Sequence, residues 1–440
     1  MHQITQDRHL QLMRRSRIIS TLVFFLWSGY AVGQLSPPGT PTIELLETLE
    51  AEELREQNPE VATAPEPITE NNALDRRGSL LESPWKIGYG KETTGAGYNG
   101  ELYTVTNTND SGPGSLRRGI ETSNTWVIYD PSLNGKTIYL KSSLHPAANT
   151  TWDGRDALVR IAPHSSAINN ITMIRFKHSN SIMHRVSVGP ETNLPAKNGS
   201  FATAQVTAIL VASGENYWLD HITVNNADDD SLGIGDYSKT SAIDVTVTHY
   251  KVFNANKGLL IGADQKIAQN ANRARRVTIA WSDMAATCRN FRNSGGQEVH
   301  GFNNYAHDWG GFECGTISGH GEKSNRDGPQ TPIILVESSV FSDNSAIGLI
   351  GQSAATSALS SPNNPNGHIQ GYVFTDGLNI FESGSSEGPA VINPGDSNNS
   401  GEPRLVPPYK YTKLPAAQVK AYVLENAGAD GANIVFPDTQ

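Results

Sequence analysis

Short runs of β-branched and aromatic residues recur along the chain, separated by clusters of Asn, Asp, Gly and Ser rather than by helical patterns. Within each run, apolar and polar residues alternate with a period of two, which is typical of β-strands. The clearest runs are residues 171–176, 217–224, 244–248, 276–281, 298–302 and 332–336. Because helical patterns between the runs are nearly absent, the sequence argues against a sheet built from β-α-β units.

The spacing of these runs constrains the fold further. The marker residues Val224, Val247, Ile279, Phe302 and Val336 are 23, 32, 23 and 34 residues apart. A basic step of about 23 residues, lengthened in places by insertions, is typical of the coils of a parallel β-helix. We therefore predict an all-β chain folded as a right-handed, single-stranded parallel β-helix, with short N- and C-terminal helices. A β-sandwich or a propeller is the alternative fold.

Two features outside the strands fit this architecture. Pairs of Asn at 225–226 and 303–304 follow strands, where turn amides can hydrogen-bond the neighbouring coil, so we interpret them as structural. Residues 415–424 have apolar residues at helical spacing, with Pro415 at the start and Gly428 after the end. We predict a C-terminal helix that packs over the solenoid.

The first 33 residues are typical of a signal peptide. Arg14, Arg15 and Arg17 precede an apolar run at 18–27, and the small residues at 31–33 offer a cleavage site. The run is too short to span a bilayer. We expect the protein to be secreted, to the extracellular space or the periplasm, and an uncleaved N-terminal anchor is the alternative.

Residues 34–80 differ in composition from the rest of the chain. They are acidic and rich in Pro, with almost no aromatic residues, so they cannot bury enough apolar surface to offset their ordering entropy. A short helix could form at 44–56. We predict a disordered linker or leader over 34–80, followed by the β-helix domain over 81–440.

The net charge and the number of cysteines argue against some kinds of partner and metal site. The 440 residues carry a formal net charge of −10, which argues against nucleic acid or an anionic membrane surface as a partner. The two cysteines, Cys288 and Cys314, are 26 residues apart, close to one coil of a solenoid. An exported chain permits a disulfide between them. Two thiols are too few for a four-cysteine zinc site.

Six motifs occur in an order that resembles the pectate lyase and pectin lyase superfamily, over most of residues 85–430. They are GYGK and TGA at 88–96, VTN with DSGPGSLR at 105–117, WLDH at 218–221, KGLLIG at 257–262, RRVT at 275–278, and RNFR with VHGFNNY at 289–305. Each motif is weak alone, and the order of all six is specific. The resemblance implies a β-helical enzyme, expected to be monomeric, that cleaves polygalacturonate or pectin.

The resemblance also implies a mechanism and its residues. Galacturonan cleavage by β-elimination needs a neutralised uronate carboxylate and a base for the adjacent C5 proton, but no nucleophile. By resemblance Arg289 is the base, and Lys257 and Arg292 bind substrate carboxylates and depress the basicity of the guanidinium. We expect an alkaline optimum. His300 is a further candidate for substrate contact. Phe291 and Ser294 depart from the family pattern, which has Pro and Arg there.

The resemblance implies a calcium ion as cofactor, held by carboxylates of neighbouring coils. Asp229 and Asp230 are the candidate ligands, with Asp236 a further one; no acid occurs at 205–207, where the family has one. Two alternatives therefore stay open: a calcium-independent pectin lyase acting on methyl-esterified substrate, and a non-catalytic β-helical carbohydrate-binding protein. Hydrolysis is disfavoured, because the Gly-His-Gly at 319–321 lies about 90 residues from Asp229.

Overall fold

The computed structural model describes residues 70–192, 205–235, 242–262, 274–288, 290–293, 296–308, 317–319, 333–342, 372–382 and 405–431. All of them belong to one compact unit, Ile68–Gln440. The second unit, Met1–Pro67, lies outside the described residues, so the signal peptide and most of the acidic leader stay predictions. Among the described helices, we find none with the length and apolar character that crossing a membrane requires.

Twenty-two strands and three helices lie within the described residues. The helices are α1 (Glu70–Leu81), α2 (Leu116–Ile120) and α3 (Ala416–Asn426). The strands are β1 (Glu101–Val105), β2 (Thr125–Tyr129), β3 (Thr137–Leu140), β4 (Thr150–Asp153), β5 (Arg160–Pro163), β6 (Thr172–Phe176), β7 (Ser181–Val188), β8 (Thr207–Val211), β9 (Gly214–Asn225), β10 (Asp230–Ile234), β11 (Ala242–Thr248), β12 (Lys251–Ile261), β13 (Ala274–Ala280), β14 (Asp283–Cys288), β15 (Phe291–Asn293), β16 (Gly296–Phe302), β17 (Tyr305–His307), β18 (Ile317–Gly319), β19 (Ile333–Glu337), β20 (Val340–Ser342), β21 (Tyr372–Thr375) and β22 (Ile380–Glu382).

Every strand pairs in parallel with the equivalent strand of a neighbouring coil, so the strands form three faces. The first face contains β1, β2, β4, β7, β9, β11, β13, β16, β19 and β21. The second contains β3, β5, β7, β9, β12, β14, β17, β20 and β22. The third contains β6, β8, β10, β12, β15 and β18. The predicted parallel β-helix is confirmed.

In five consecutive coils, the corner between the first and second faces is made by one residue in the left-handed region. Arg185, His221, His249, Trp281 and Asn303 have φ between 50° and 54°. A single left-handed residue turns a strand sharply, and it is costly for side chains other than Asn. Ring stacking within the corner offsets part of that cost: the centroids of His221 and His249 are 4.2 Å apart, and those of His249 and Trp281 are 5.4 Å apart.

The interior is a ladder of aliphatic residues whose register differs in detail from the predicted one. On the first face, Leu219, Val247, Ile279, Gly301 and Val336 occupy one row. The predicted marker Val224 lies instead on the second face, next to Val252. Phe302 lies one residue beyond the row, in an aromatic cluster with Trp126 and Trp218 outside the interior.

The N-terminal helix α1 packs over that outer cluster. Leu80 is buried with Trp126, and Arg76 Nε donates to Asp153 Oδ2 at 2.7 Å. The prediction that the linker extends to residue 80 is therefore wrong for its last residues. They form part of the folded unit because an apolar side chain and an ion pair fix them to the first face.

The C-terminal segment packs over the solenoid, as predicted, with Tyr409 over the first face and the helix α3 over the second. Pro415 caps α3, which buries Val419 and Val423 against Tyr305. The backbone N–H of Leu414 donates to Asn303 Oδ1 at 2.7 Å, and the amide of Asn303 donates to the carbonyl of Ser338. The structural role predicted for this Asn is confirmed.

Candidate active site

Three of the predicted site positions meet where the second face turns into the third. In register, Asp230 is next to Lys257, and Lys257 is next to Cys288 on the following coil. Arg292 pairs with Leu260, three residues along the same strand as Lys257. Arg289 itself lies outside the described residues, as do Asp236, Cys314 and the side chains of Cys288 and Arg292. Their predicted roles, including the disulfide, stay predictions.

Among the described side chains of this row, Lys257 forms an ion pair with Asp229. The Lys257 ammonium donates to Asp229 Oδ1. The side chain of Lys257 is 13% exposed and that of Asp229 is 26% exposed, so both keep contact with solvent. A partly desolvated cation with an accessible edge is suited to bind a second carboxylate.

The turn that carries the acidic residues is fixed to both neighbouring coils. Asp228 is buried, and its carboxylate accepts the backbone N–H groups of Gln205 and Val206 at 3.2 and 2.7 Å. On the other side, Ser231 Oγ donates to the carbonyl of Lys257 at 2.7 Å. Of three consecutive aspartates, the first is therefore structural, and Asp229 and Asp230 are the candidate ligands.

His300 does not belong to this site. Its side chain is fully buried on the first face, with Nε2 2.8 Å from Glu337 Oε2 and Nδ1 2.6 Å from the Tyr409 hydroxyl. Burial lowers the pKa of His300. The prediction that it contacts substrate is wrong: it follows Arg289 closely in sequence, but β16 lies on a different face from the row at Lys257.

Comparison with known proteins identifies the family. The pectate lyase family profile matches residues 86–432. The chain belongs to the pectate lyase family. This confirms the resemblance read from the six motifs.

Two curated plant proteins are similar to this family member. It is 31% identical over 271 residues to pectate lyase 1 of Cryptomeria japonica, and the aligned region covers 58% of this chain and 65% of the relative. It is 27% identical over 223 residues to putative pectate lyase 21 of Arabidopsis thaliana, which covers 48% and 52%. The chain thus spans about half to two-thirds of the length of these relatives.

Solved structures support the fold of this pectate lyase family member. Jun a 1, the major allergen from cedar pollen, matches with a TM-score of 0.55 and 20% identity, over 81% of this chain and 99% of that one. A pectate lyase from Paenibacillus matches with a TM-score of 0.51 and 13% identity, over 78% and 94%. At these identities the match establishes the fold alone.

The residues at the Lys257 row fit a divalent cation only in part. Asp229 and Asp230 supply the carboxylate oxygens that calcium prefers, and the preceding coil has no acid at 205–207. Calcium takes about six to eight oxygen ligands. A cation here would therefore need several ligands from water or from a bound anion.

A second cluster of titratable residues lies at the corner between the first and second faces. Both oxygens of the buried Asp220 carboxylate are used: His184 Nδ1 and His221 Nδ1 lie 2.9 and 2.8 Å from Oδ2, and His249 Nδ1 and Thr248 Oγ1 lie 3.0 and 2.6 Å from Oδ1. Against the effect of burial, the electrostatic interaction with His221 and these hydrogen bonds hold the pKa of Asp220 well below its usual range. Burial lowers the pKa of His249 to about 4.

This network explains the Trp-x-Asp-His motif in structural terms. Trp218 Nε1 donates to Thr248 Oγ1, which in turn donates to Asp220. Ligand atoms of His184, Asp220 and His221 lie within 4.8 Å of one another, but the carboxylate is already saturated by four donors. Sequence reasoning missed His184 and His249, because their convergence on Asp220 arises from coil stacking and has no local motif.

Proposed function

We propose that this protein is a pectate lyase that cleaves galacturonan by β-elimination and releases unsaturated oligogalacturonides. The observation that carries the proposal is the Lys257–Asp229 ion pair in register with Cys288, the residue before Arg289, inside the range matched by the family. A partly exposed lysine at this position suits a polyuronate better than a neutral glycan.

In the proposed reaction, Lys257 pairs with the C6 carboxylate of the substrate and so lowers the pKa of the neighbouring C5 proton. Arg289 removes that proton. The released electron pair forms the C4–C5 double bond, the C4–O4 bond breaks, and the departing oxygen takes a proton from water. Arg292 is proposed to bind a second uronate carboxylate.

A guanidinium acts as a base only if its protonated form is disfavoured, since its ordinary pKa is above about 12. Nearby cations disfavour a second positive charge. Lys257 is in register with Cys288, the residue before Arg289, and Arg292 follows three residues after Arg289 in the sequence, which supports this role. We propose an alkaline optimum on this basis.

We further propose that Asp229 and Asp230 hold calcium together with substrate carboxylates. When bound, the ion supplies positive charge that neutralises the uronate. Because the protein offers two carboxylates, one already paired with Lys257, the ion should bind weakly without substrate. Calorimetric titration of calcium, with and without oligogalacturonate, measures this difference directly.

We also propose that the protein is exported and that residues 1–33 are removed. The support is the order of Arg14, Arg15 and Arg17, the apolar run and the small residues before Gln34. Mass spectrometry of the secreted chain should give a mature N-terminus at Gln34. A retained N-terminus would contradict the proposal.

The lyase proposal is tested by the ultraviolet absorbance of unsaturated uronides on polygalacturonate and on methyl-esterified pectin, each with calcium and with a chelator. We expect product on polygalacturonate with calcium and loss of it with the chelator. Chelator-insensitive product on pectin alone would replace the proposal with a pectin lyase. Binding without product on either substrate would replace it with a non-catalytic protein.

A further inference from the structure

A second cleft opens between the two terminal segments that cover the first face. Its volume is about 540 Å³, and it is lined by Pro84, Ile87, Trp281, Tyr409, Lys410, Tyr411 and Thr412. Binding pockets for small ligands are typically about 300–1,000 Å³. The cleft is separate from the Lys257 row, which lies at the corner of the second and third faces.

Interior contacts hold the aromatic side chains of this cleft in place. The Tyr409 hydroxyl lies 2.6 Å from His300 Nδ1 and 2.8 Å from Thr278 Oγ1, and the Tyr411 hydroxyl donates to Glu337 Oε2 at 2.6 Å. The Trp281 ring stacks on His249 at 5.4 Å. The cleft is therefore preformed, and a ligand would not have to order these side chains.

The positive charge of the cleft favours a ligand that carries a negative charge. Lys410 is the charged residue of the lining, and it is exposed. The acid beneath the lining, Glu337, is already bound by His300, Tyr411 and Lys413. The partly exposed ring of Tyr411 beside the exposed cation of Lys410 suits a sugar ring that carries a carboxylate.

We propose that this cleft is a non-catalytic secondary site for a uronate-containing oligosaccharide. Lys410 pairs with a uronate carboxylate, while the partly exposed ring of Tyr411 packs against the apolar face of a sugar ring and the buried Trp281 and Tyr409 form the floor beneath it. This inference deepens the proposed function, on which its choice of ligand rests. Its consequence is that the protein holds a second stretch of polymer away from the cleavage site.

The test is a calorimetric titration with a saturated oligogalacturonate, with Arg289→Ala as the parent chain so that the ligand is not consumed. We expect two binding sites in the parent. Lys410→Glu should weaken one of them about tenfold or more, because the favourable charge pair becomes a repulsion. Lys136→Glu makes the same charge change at an exposed position elsewhere and should retain both sites.

The outcomes separate the two proposals. If Lys410→Glu binds like Lys136→Glu, the secondary site is wrong, whether or not the wild type is a lyase. If Lys410→Glu loses one site while wild-type protein yields no unsaturated product, the cleft stands and the lyase proposal fails. Circular dichroism of both variants shows that each is folded, which these surface changes should preserve.

Discussion

The role proposed for Lys257 leads to a prediction with separable effects on activity and stability. Lys257→Met keeps the aliphatic stem and removes the ammonium. The pair with Asp229 is partly exposed, so its loss should cost no more than about 1 kcal/mol of unfolding free energy. A fixed cation beside developing negative charge contributes about 3 kcal/mol to catalysis, so kcat/KM should fall about 10²- to 10³-fold.

The assay is the initial rate of unsaturated product on polygalacturonate with calcium, alongside thermal unfolding of each variant. Lys251→Met is the matched control, because Lys251 begins the same strand, β12, but lies on the second face. It should retain activity within a few-fold. If Lys257→Met keeps wild-type kcat/KM, or if the control loses as much, the assignment of Lys257 to the site is refuted.

Two predictions concern the buried network around Asp220. Asp220→Asn removes a carboxylate with four hydrogen-bond donors and should lower the unfolding free energy by about 3–5 kcal/mol. The unfolding entropy is about 2.1 cal/mol/K per residue over about 370 residues, so the thermal midpoint should fall by about 5 °C. An unchanged midpoint would contradict the structural role of the network. The pKa of His249 is lowered to about 4 by burial, so the unfolded chain binds more protons below its ordinary value of about 6.5. The contribution of His249 to the unfolding free energy should therefore be fully present above about pH 6.5, and the unfolding free energy should decrease by about 3 kcal/mol as the pH falls toward 4. Urea unfolding across this range measures the slope, and a midpoint independent of pH would show that the lowered pKa is wrong.

The fold was predictable because each coil repeats a physical pattern that sequence records. Alternating β-branched residues identify strands, and a step near one coil length identifies their stacking. The exact register was not predictable from spacing alone. Val224 and Phe302 were natural markers as apolar residues of strands, yet one belongs to another face and the other to the outer cluster.

The site was predictable in part for a related reason. Lys257 and Asp229 are charged residues about one coil apart in the sequence. Stacking of the coils brings them together, so their proximity follows from the coil length. His300 shows where this reasoning stops. Its burial depends on the C-terminal segment that places Tyr409 over it, and no local pattern around residue 300 encodes that distant contact.

The predicted end of the linker at residue 80 was wrong for a similar reason. Composition marks residues 34–80 as unable to form a core alone, but it does not reveal that Asp153 and Trp126 of the β-helix provide partners for α1. Long-range partners of this kind become visible only in the folded chain.

The most direct test of the account is the rate of elimination by Arg289→Lys on polygalacturonate at alkaline pH with calcium. Lysine keeps a basic nitrogen but not the planar guanidinium, and Arg275→Lys, on the first face, is the matched control. We predict a loss of about 10³-fold or more in kcat for the first variant and wild-type kcat for the second. Elimination by Arg289→Lys within a few-fold of wild type would contradict the account.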